Sequence, residues 1–129
     1  MLSGILSRLT LHHQAKQGEP YICSAIKELV SRYGYQVNIP FAAEKLSLTR
    51  SQLHYRFAKS SNGSTDIKAF IEDALLKLPE KHLRYSPMNI SEIASELNFS
   101  SIYSFSRFYK RKTGISPMEM RKIEREENQ

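Results

Sequence analysis

Apolar residues recur at helical spacing along most of this chain, and the pattern is clearest toward its C-terminus. Ile90, Ile93, Ala94 and Leu97 fall at i, i+3, i+4 and i+7, one stripe of an amphipathic helix. Asn89 followed three residues later by Glu92 has the form of a capping box and marks where that helix starts. Asn98 follows the last apolar residue, and Asn tolerates the left-handed backbone that a tight turn needs. Ser100 or Ser101 can then cap a second helix, in which Phe105, Phe108 and Tyr109 repeat the spacing. Two short helices joined by a tight turn make a helix-turn-helix.

Upstream, the same arrangement is predicted again. Leu2, Ile5, Leu6 and Leu9 share one face of a short N-terminal helix, either packed on the domain or used for dimerisation or partner binding, and 14–20 reads as a polar linker. A helix over 20–33 carries Ile22, Ile26, Leu29, Val30 and Tyr33, with Gly34 as its stop. In 37–60, Asn38 can cap a helix with Pro40 in its first turn, and Ala43, Leu46 and Leu48 supply apolar contacts. Thr49 and Gln52 have capping-box spacing and open a helix carrying Leu53 and Phe57. Ala43, Leu46, Leu48 and Thr49 parallel Ala94, Leu97, Phe99 and Ser100, and Leu53 with Phe57 parallels Phe105 with Tyr109. The sequence thus holds two related helix-turn-helix units.

Between them, 60–65 is a connection in which Gly63 supplies positive φ, and a helix begins near Asp66 with Ile67, Phe70, Ile71, Ala74, Leu75 and Leu78 on one side. Pro79 interrupts it. A proline inside a helix removes a hydrogen bond and clashes with the preceding turn, so a kink or break is predicted near Leu78, with Leu83 packing beyond. Ser116, Pro117 and Glu119 combine an N-cap, a first-turn proline and an N3 carboxylate, which starts a last helix with Met120 and Ile123 facing inward and a solvated charged tail. The expectation is an all-α fold of about seven helices: an N-terminal extension (1–19), a first helix-turn-helix subdomain (20–65), a kinked linker helix and connection (66–88), and a second subdomain with a C-terminal helix (89–129).

Composition narrows the chemistry. With 129 residues, 40% hydrophobic content and a mean hydropathy of −0.46, the chain has the make-up of a water-soluble folded domain, and no apolar run is long enough to span a bilayer. The opening residues lack the basic start of a signal peptide, and the single Cys23 rules out a disulfide framework, so a reducing cytoplasm is the simplest location. His12, His13, His54 and His82 show no metal-ligand spacing, and no phosphate-binding loop or nucleophile elbow is present. Glu72, Asp73 and Glu80 read as solvated charges on or near the linker helix. Neither catalysis nor a cofactor or metal is expected. Net charge is +6, and 103–114 carries four basic residues with no acidic one. Positive charge gathered on the second helix of a helix-turn-helix points to duplex DNA.

The run Ile93-Ala94, Leu97, Phe99-Ser100, Phe105-Ser106-Arg107, Tyr109-Lys110, Thr113-Gly114-Ile115-Ser116-Pro117 and Arg121 resembles the C-terminal signature of AraC/XylS-type bacterial transcription regulators. It departs mildly at Asn98 (usually Gly), Tyr109 (usually Phe) and Met120 (usually aromatic). In the first unit Ser47 and Ala58 stand where Gly and Lys are common, Ala74 replaces a basic linker-helix residue, and Pro79 interrupts a helix that is long and rigid in the family. The resemblance covers about 21–121 and implies a stand-alone DNA-binding domain with no separate ligand-binding domain. It implies regulation of transcription, most often activation, with RNA polymerase as a second partner.

On this reading Ile102, Tyr103, Ser106 and Arg107 face the bases from the second recognition helix, while Lys110, Arg111 and Lys112 meet phosphates. Arg107 has a plainer alternative, a salt bridge to Glu96 or Glu119. The matching base-facing positions in the first unit are Ser51, His54 and Tyr55, with Arg50, Arg56 and Lys59 toward phosphates; His54 is equally readable as a surface histidine. The partner is double-stranded DNA, without a membrane role, and the chain is a monomer or a weak dimer through its N-terminal segment. The rival reading is a protein-interaction co-regulator that modulates a related regulator or the polymerase without specific DNA binding of its own.

Overall fold

The computed structural model describes residues 20–60 and 66–127. The expected N-terminal apolar face and the Gly63 connection lie outside the described residues. Those described form eight α-helices and no strand: α1 (Pro20–Tyr33), α2 (Ile39–Lys45), α3 (Arg50–Ser60), α4 (Ile67–Lys77), α5 (Pro79–Tyr85), α6 (Ile90–Glu96), α7 (Ile102–Thr113) and α8 (Pro117–Glu127), with a short 3-10 turn at Gly34–Gln36. The fold is all-α, as the apolar periodicity implies. Pro79 accounts for the extra helix, because it divides the linker in two. It sits at the first position of α5, where its missing N–H is not needed. Leu78 keeps helical dihedrals (φ −62°, ψ −42°), and its N–H reaches only back to the Leu75 carbonyl, at 3.2 Å. The linker is therefore interrupted at Leu78 without being unwound there.

The described residues divide into two compact units, one of 20–29, 37–60 and 66–71, the other of 30–36 and 72–127. In the first, Ile22, Ala25 and Ile26 of α1 are buried, as are Ala42, Ala43, Leu53, Phe57, Ile67 and Ile71. In the second, the buried set is Val30, Leu75, Leu83, Ile90, Ile93, Ala94 and Leu97, with the aromatic group Phe99, Phe105, Phe108 and Tyr109.

The two helix-turn-helix units repeat each other bond for bond through the turn. Asn38 and Asn89 cap α2 and α6, accepting from Phe41 N at 2.9 Å and Glu92 N at 2.8 Å. Ser47 and Asn98 both take up left-handed backbone, with φ of +58° and +64°. Leu48 N donates to Ala43 O, and Phe99 N to Ala94 O, each at 2.9 Å. After this point the second turn is one residue longer. Thr49 caps α3 through a reciprocal pair with Gln52, whereas Ser101, not Ser100, caps α7 by accepting from Ser104 N at 3.1 Å.

At the C-terminus, Ser116 caps α8 by accepting from Glu119 N at 3.1 Å. Ile123 does not face inward as its spacing suggests; it is 43% exposed. Pro117 is buried and Met120, Arg121 and Glu124 are half-buried, so polar anchors occupy much of the inward stripe. Arg121 donates to the carbonyls of His82 (2.8 Å), Leu83 (3.2 Å) and Ser86 (3.3 Å), and Arg84 Nε donates to Glu124 at 2.7 Å. The Arg121 bonds supply a partner to Leu83 O in the last turn of α5 and a second one to His82 O, which also accepts from Ser86 N.

Candidate nucleic-acid interface

Helix α7 is divided into a buried aromatic face and an exposed polar one, and its two ends are chemically specified. Ser101 closes the start, and Gly114 ends it in left-handed backbone (φ +89°), its N–H donating to Lys110 O at 2.8 Å. Phe105, Phe108 and Tyr109 are buried. Burial pushes the Tyr109 phenol above its ordinary pKa, with the negative charges of Glu80 and Glu124 adding to the effect. On the opposite face Tyr103 is 76% exposed, and Arg107 and Lys110 are exposed beside it. Residues three and four apart share a helix face, so these three form one outward row. Ile102 and Ser106 flank it, half-buried. Arg107 makes no ion pair among the described residues, and the Glu119 carboxylate instead accepts from the Ser116 hydroxyl at 3.2 Å.

The three consecutive cations at the end of α7 separate. Lys110 is exposed on the outward row. Arg111 Nη2 lies 3.1 Å from Glu72 Oε2, and its guanidinium also sits 5.7 Å from the Phe108 ring centroid. Lys112 stands four residues beyond Phe108, on the inward stripe, and its ammonium is 2.7 Å from Glu72 Oε1. Glu72 is thus a paired residue of α4 rather than a solvated charge. Burial works to raise its pKa, but the hydrogen bonds and charges of Lys112 and Arg111 more than offset this and hold it below the ordinary carboxylate value. Nothing local in sequence announces the pairing, since Glu72 and Arg111 are 39 residues apart.

In the first unit, α3 buries Leu53 and Phe57, the latter edge-on to Phe70 at 5.3 Å between ring centroids. Ser51, His54 and Tyr55 are exposed on the far side, Tyr55 at 61%. Arg50 and Lys59 are exposed as well, with the Lys59 ammonium 4.8 Å from the Tyr55 ring centroid. Arg56 is half-buried, nearer the inward stripe. Burial raises the Tyr21 phenol above its usual pKa; the positive charge of Arg56 pulls against that shift and Glu28 adds to it.

The turn before α7 is also held by Tyr35, a residue the sequence does not single out. Tyr35 N donates to Leu97 O at 2.9 Å, and the Asn98 side-chain amide donates to Tyr33 O at 2.9 Å. The Tyr35 ring stacks on Phe99, with centroids 4.2 Å apart and planes 20° from parallel, and meets Phe108 edge-on at 5.6 Å. Gly34, at φ +61°, allows this approach: a Cβ there would lie 2.3 Å from Leu97 O.

Among the described residues no group of His, Cys, Asp and Glu could hold a metal ion, and no helix is long and apolar enough to cross a membrane. What the geometry does present is a pair of helix-turn-helix units, each with a polar and basic outer face on its second helix. Residues 42–123 match the family described as "Helix-turn-helix domain". That match spans more than half of the chain, which therefore belongs to the helix-turn-helix family of AraC/XylS type, a family of non-enzymatic DNA-binding regulators. The chain is 30% identical over 125 residues to the Msm operon regulatory protein of Streptococcus mutans serotype c, an alignment that takes in 95% of this chain and 44% of that protein. It spans less than half the length of this relative. Among solved structures, the DNA-binding domain of AdpA, a global transcriptional factor crystallised in complex with a target DNA, is similar with a TM-score of 0.66. The likeness covers 82% of this chain and 94% of that one at 18% identity, so it bears on fold.

Proposed function

We propose that this chain is a sequence-specific DNA-binding regulator of transcription that reads the major groove with α7 and, in the first unit, with α3. The observation that carries the reading is the outward row Tyr103, Arg107 and Lys110, exposed opposite the buried aromatic stripe and without a carboxylate partner among the described residues. In this reading Arg107 bonds a guanine edge, Tyr103 and Ile102 meet thymine methyls, and Ser106 bonds a base or sugar. Ser51, His54 and Tyr55 take the equivalent positions on α3. Lys110, Arg50 and Lys59 contact phosphates first, with Arg56, Arg111 and Lys112 set further back. The net charge of +6 supports a polyanionic partner. The name of the Streptococcus mutans relative supports control of an operon, and the AdpA domain supports duplex DNA as ligand for this fold. The fuller form of the proposal is activation, with RNA polymerase as second partner, by a cytoplasmic protein that is monomeric or weakly dimeric through residues 1–19.

The test is an in-vitro selection of random duplex DNA with the purified chain. A two-part motif with halves about one helical turn apart, ~34 Å, is the result expected if both units read bases. A single short half-site assigns specificity to α7, leaving α3 as a clamp. Binding without any enriched sequence, lost as salt rises, overturns the reading and favours the co-regulator.

A further inference from the structure

We propose that Glu72 limits how tightly this domain holds DNA of any sequence, by keeping Arg111 and Lys112 engaged and away from the phosphate backbone. The inference rests on the DNA-binding reading above. By composition, α7 ends in three adjacent cations. By geometry, one carboxylate on α4 holds two of them, at 3.1 and 2.7 Å.

Burial decides how firmly. The Glu72 side chain is 16% exposed and that of Lys112 is 23% exposed, so this pair is poorly screened by salt. For Lys112 to reach a phosphate, it must break a short charge-assisted hydrogen bond and leave a largely buried carboxylate short of a partner, which is unfavourable. Arg111, at 55% exposure, is more available, yet its guanidinium is also placed over Phe108. Lys110 is left as the forward cation of the three.

Phosphate contacts supply nearly all sequence-independent affinity, and a regulator must find its site among a great excess of other DNA. A carboxylate that removes two cations from the backbone-contacting set lowers that background without touching Tyr103 or Arg107.

The experiment measures the dissociation constant of the full chain for a fluorescent mixed-sequence duplex of about two helical turns across a series of salt concentrations. Glu72→Gln is expected to bind more tightly at low salt. Its log-log salt slope should steepen by about 0.9 for each cation released, roughly a 3-fold larger loss of affinity per cation for a fourfold rise in salt. That steepening should vanish when Arg111→Ala and Lys112→Ala are added. An unchanged slope in a Glu72→Gln protein with wild-type melting overturns the inference. If Glu72→Gln melts early, Arg111→Ala/Lys112→Ala alone decides: a slope equal to wild type supports the inference, and one flattened by about 1.8 overturns it, because both cations then already touch phosphates. A wild-type chain that binds no duplex even at the lowest salt removes the DNA-binding reading itself.

Discussion

Asn98 donates a 2.9 Å hydrogen bond from its side-chain amide to the carbonyl of Tyr33, 65 residues earlier, while its own backbone is left-handed at φ +64°. One residue thus makes the turn between α6 and α7 and ties that turn to the end of α1. Substitutions separate the two roles. Asn98→Ala loses both and is expected to cost roughly 2 kcal/mol, about half for the hydrogen bond and half for the left-handed backbone. Asn98→Gly relaxes the backbone and loses only the bond, so it should stay within about 1 kcal/mol of wild type. Urea denaturation of the two variants distinguishes them; equal losses would mean that the backbone conformation is irrelevant.

Gly34 is the other side of the same junction. Gly34→Ala puts a methyl 2.3 Å from Leu97 O and forces Ala to φ +61°, for an expected loss of roughly 2–4 kcal/mol. Gly114→Ala provides the contrast. It shares positive φ but has open space around its Cβ, so about 1–2 kcal/mol is expected. The ordering of the two melting temperatures checks this.

The proposed DNA reading gives the outward row of α7 two kinds of contact to test. Arg107→Ala should cost ~1–3 kcal/mol on the best selected site and relax preference at one base pair. Lys110→Ala should weaken all sequences alike and flatten the salt slope by about 0.9. If Arg107→Ala weakens every sequence equally, Arg107 contacts phosphate rather than a base.

Arg121 carries a structural duty beside any role the family signature suggests. Its guanidinium spans the carbonyls of His82, Leu83 and Ser86 from α8. Arg121→Lys cannot span them with one ammonium, and a stability loss of roughly 1.5–3 kcal/mol is expected for a variant that keeps the charge. The salt dependence of DNA binding should stay unchanged, since this arginine is spent on α5.

Glu72 also predicts an acid dependence. Its folded pKa lies below the ordinary value of 4.5, so its contribution to stability is complete above that pH and is lost as pH falls through the folded value. The stability difference between wild type and Glu72→Gln, followed by urea midpoint, should be constant near neutrality and shrink below about pH 4.5. A difference that persists unchanged to about pH 3 would assign the effect of Gln to packing instead.

Most of the helices and both turns are readable from sequence because their signals are local. Asn89 with Glu92 and Thr49 with Gln52 are reciprocal caps three residues apart, and both form in the structure. Pro79 likewise acts on its own neighbours. Ile123 misleads because helical spacing shows which positions could face inward, not that Arg121 and Glu124 would take the inward stripe for hydrogen bonds to α5. Lys112 misleads differently: adjacency to Lys110 and Arg111 suggests a single basic cluster, while its spacing from Phe108 already places it on the inner stripe. Glu72 and Tyr35 are silent in sequence because their partners lie far along the chain and belong to no recurring motif.

The 65-residue span between Tyr33 and Asn98 has a consequence for how the protein is made. A ribosome adds ~5–20 residues per second, so the Gly34–Tyr35 corner emerges roughly 3–13 seconds before the turn it must grip. In that interval the exposed ring of Tyr35 has neither Phe99 nor Phe108 to stack on. The second recognition helix is therefore completed by a piece of chain translated well ahead of it, and a fragment beginning at Asn89 would leave the ribosome without that piece.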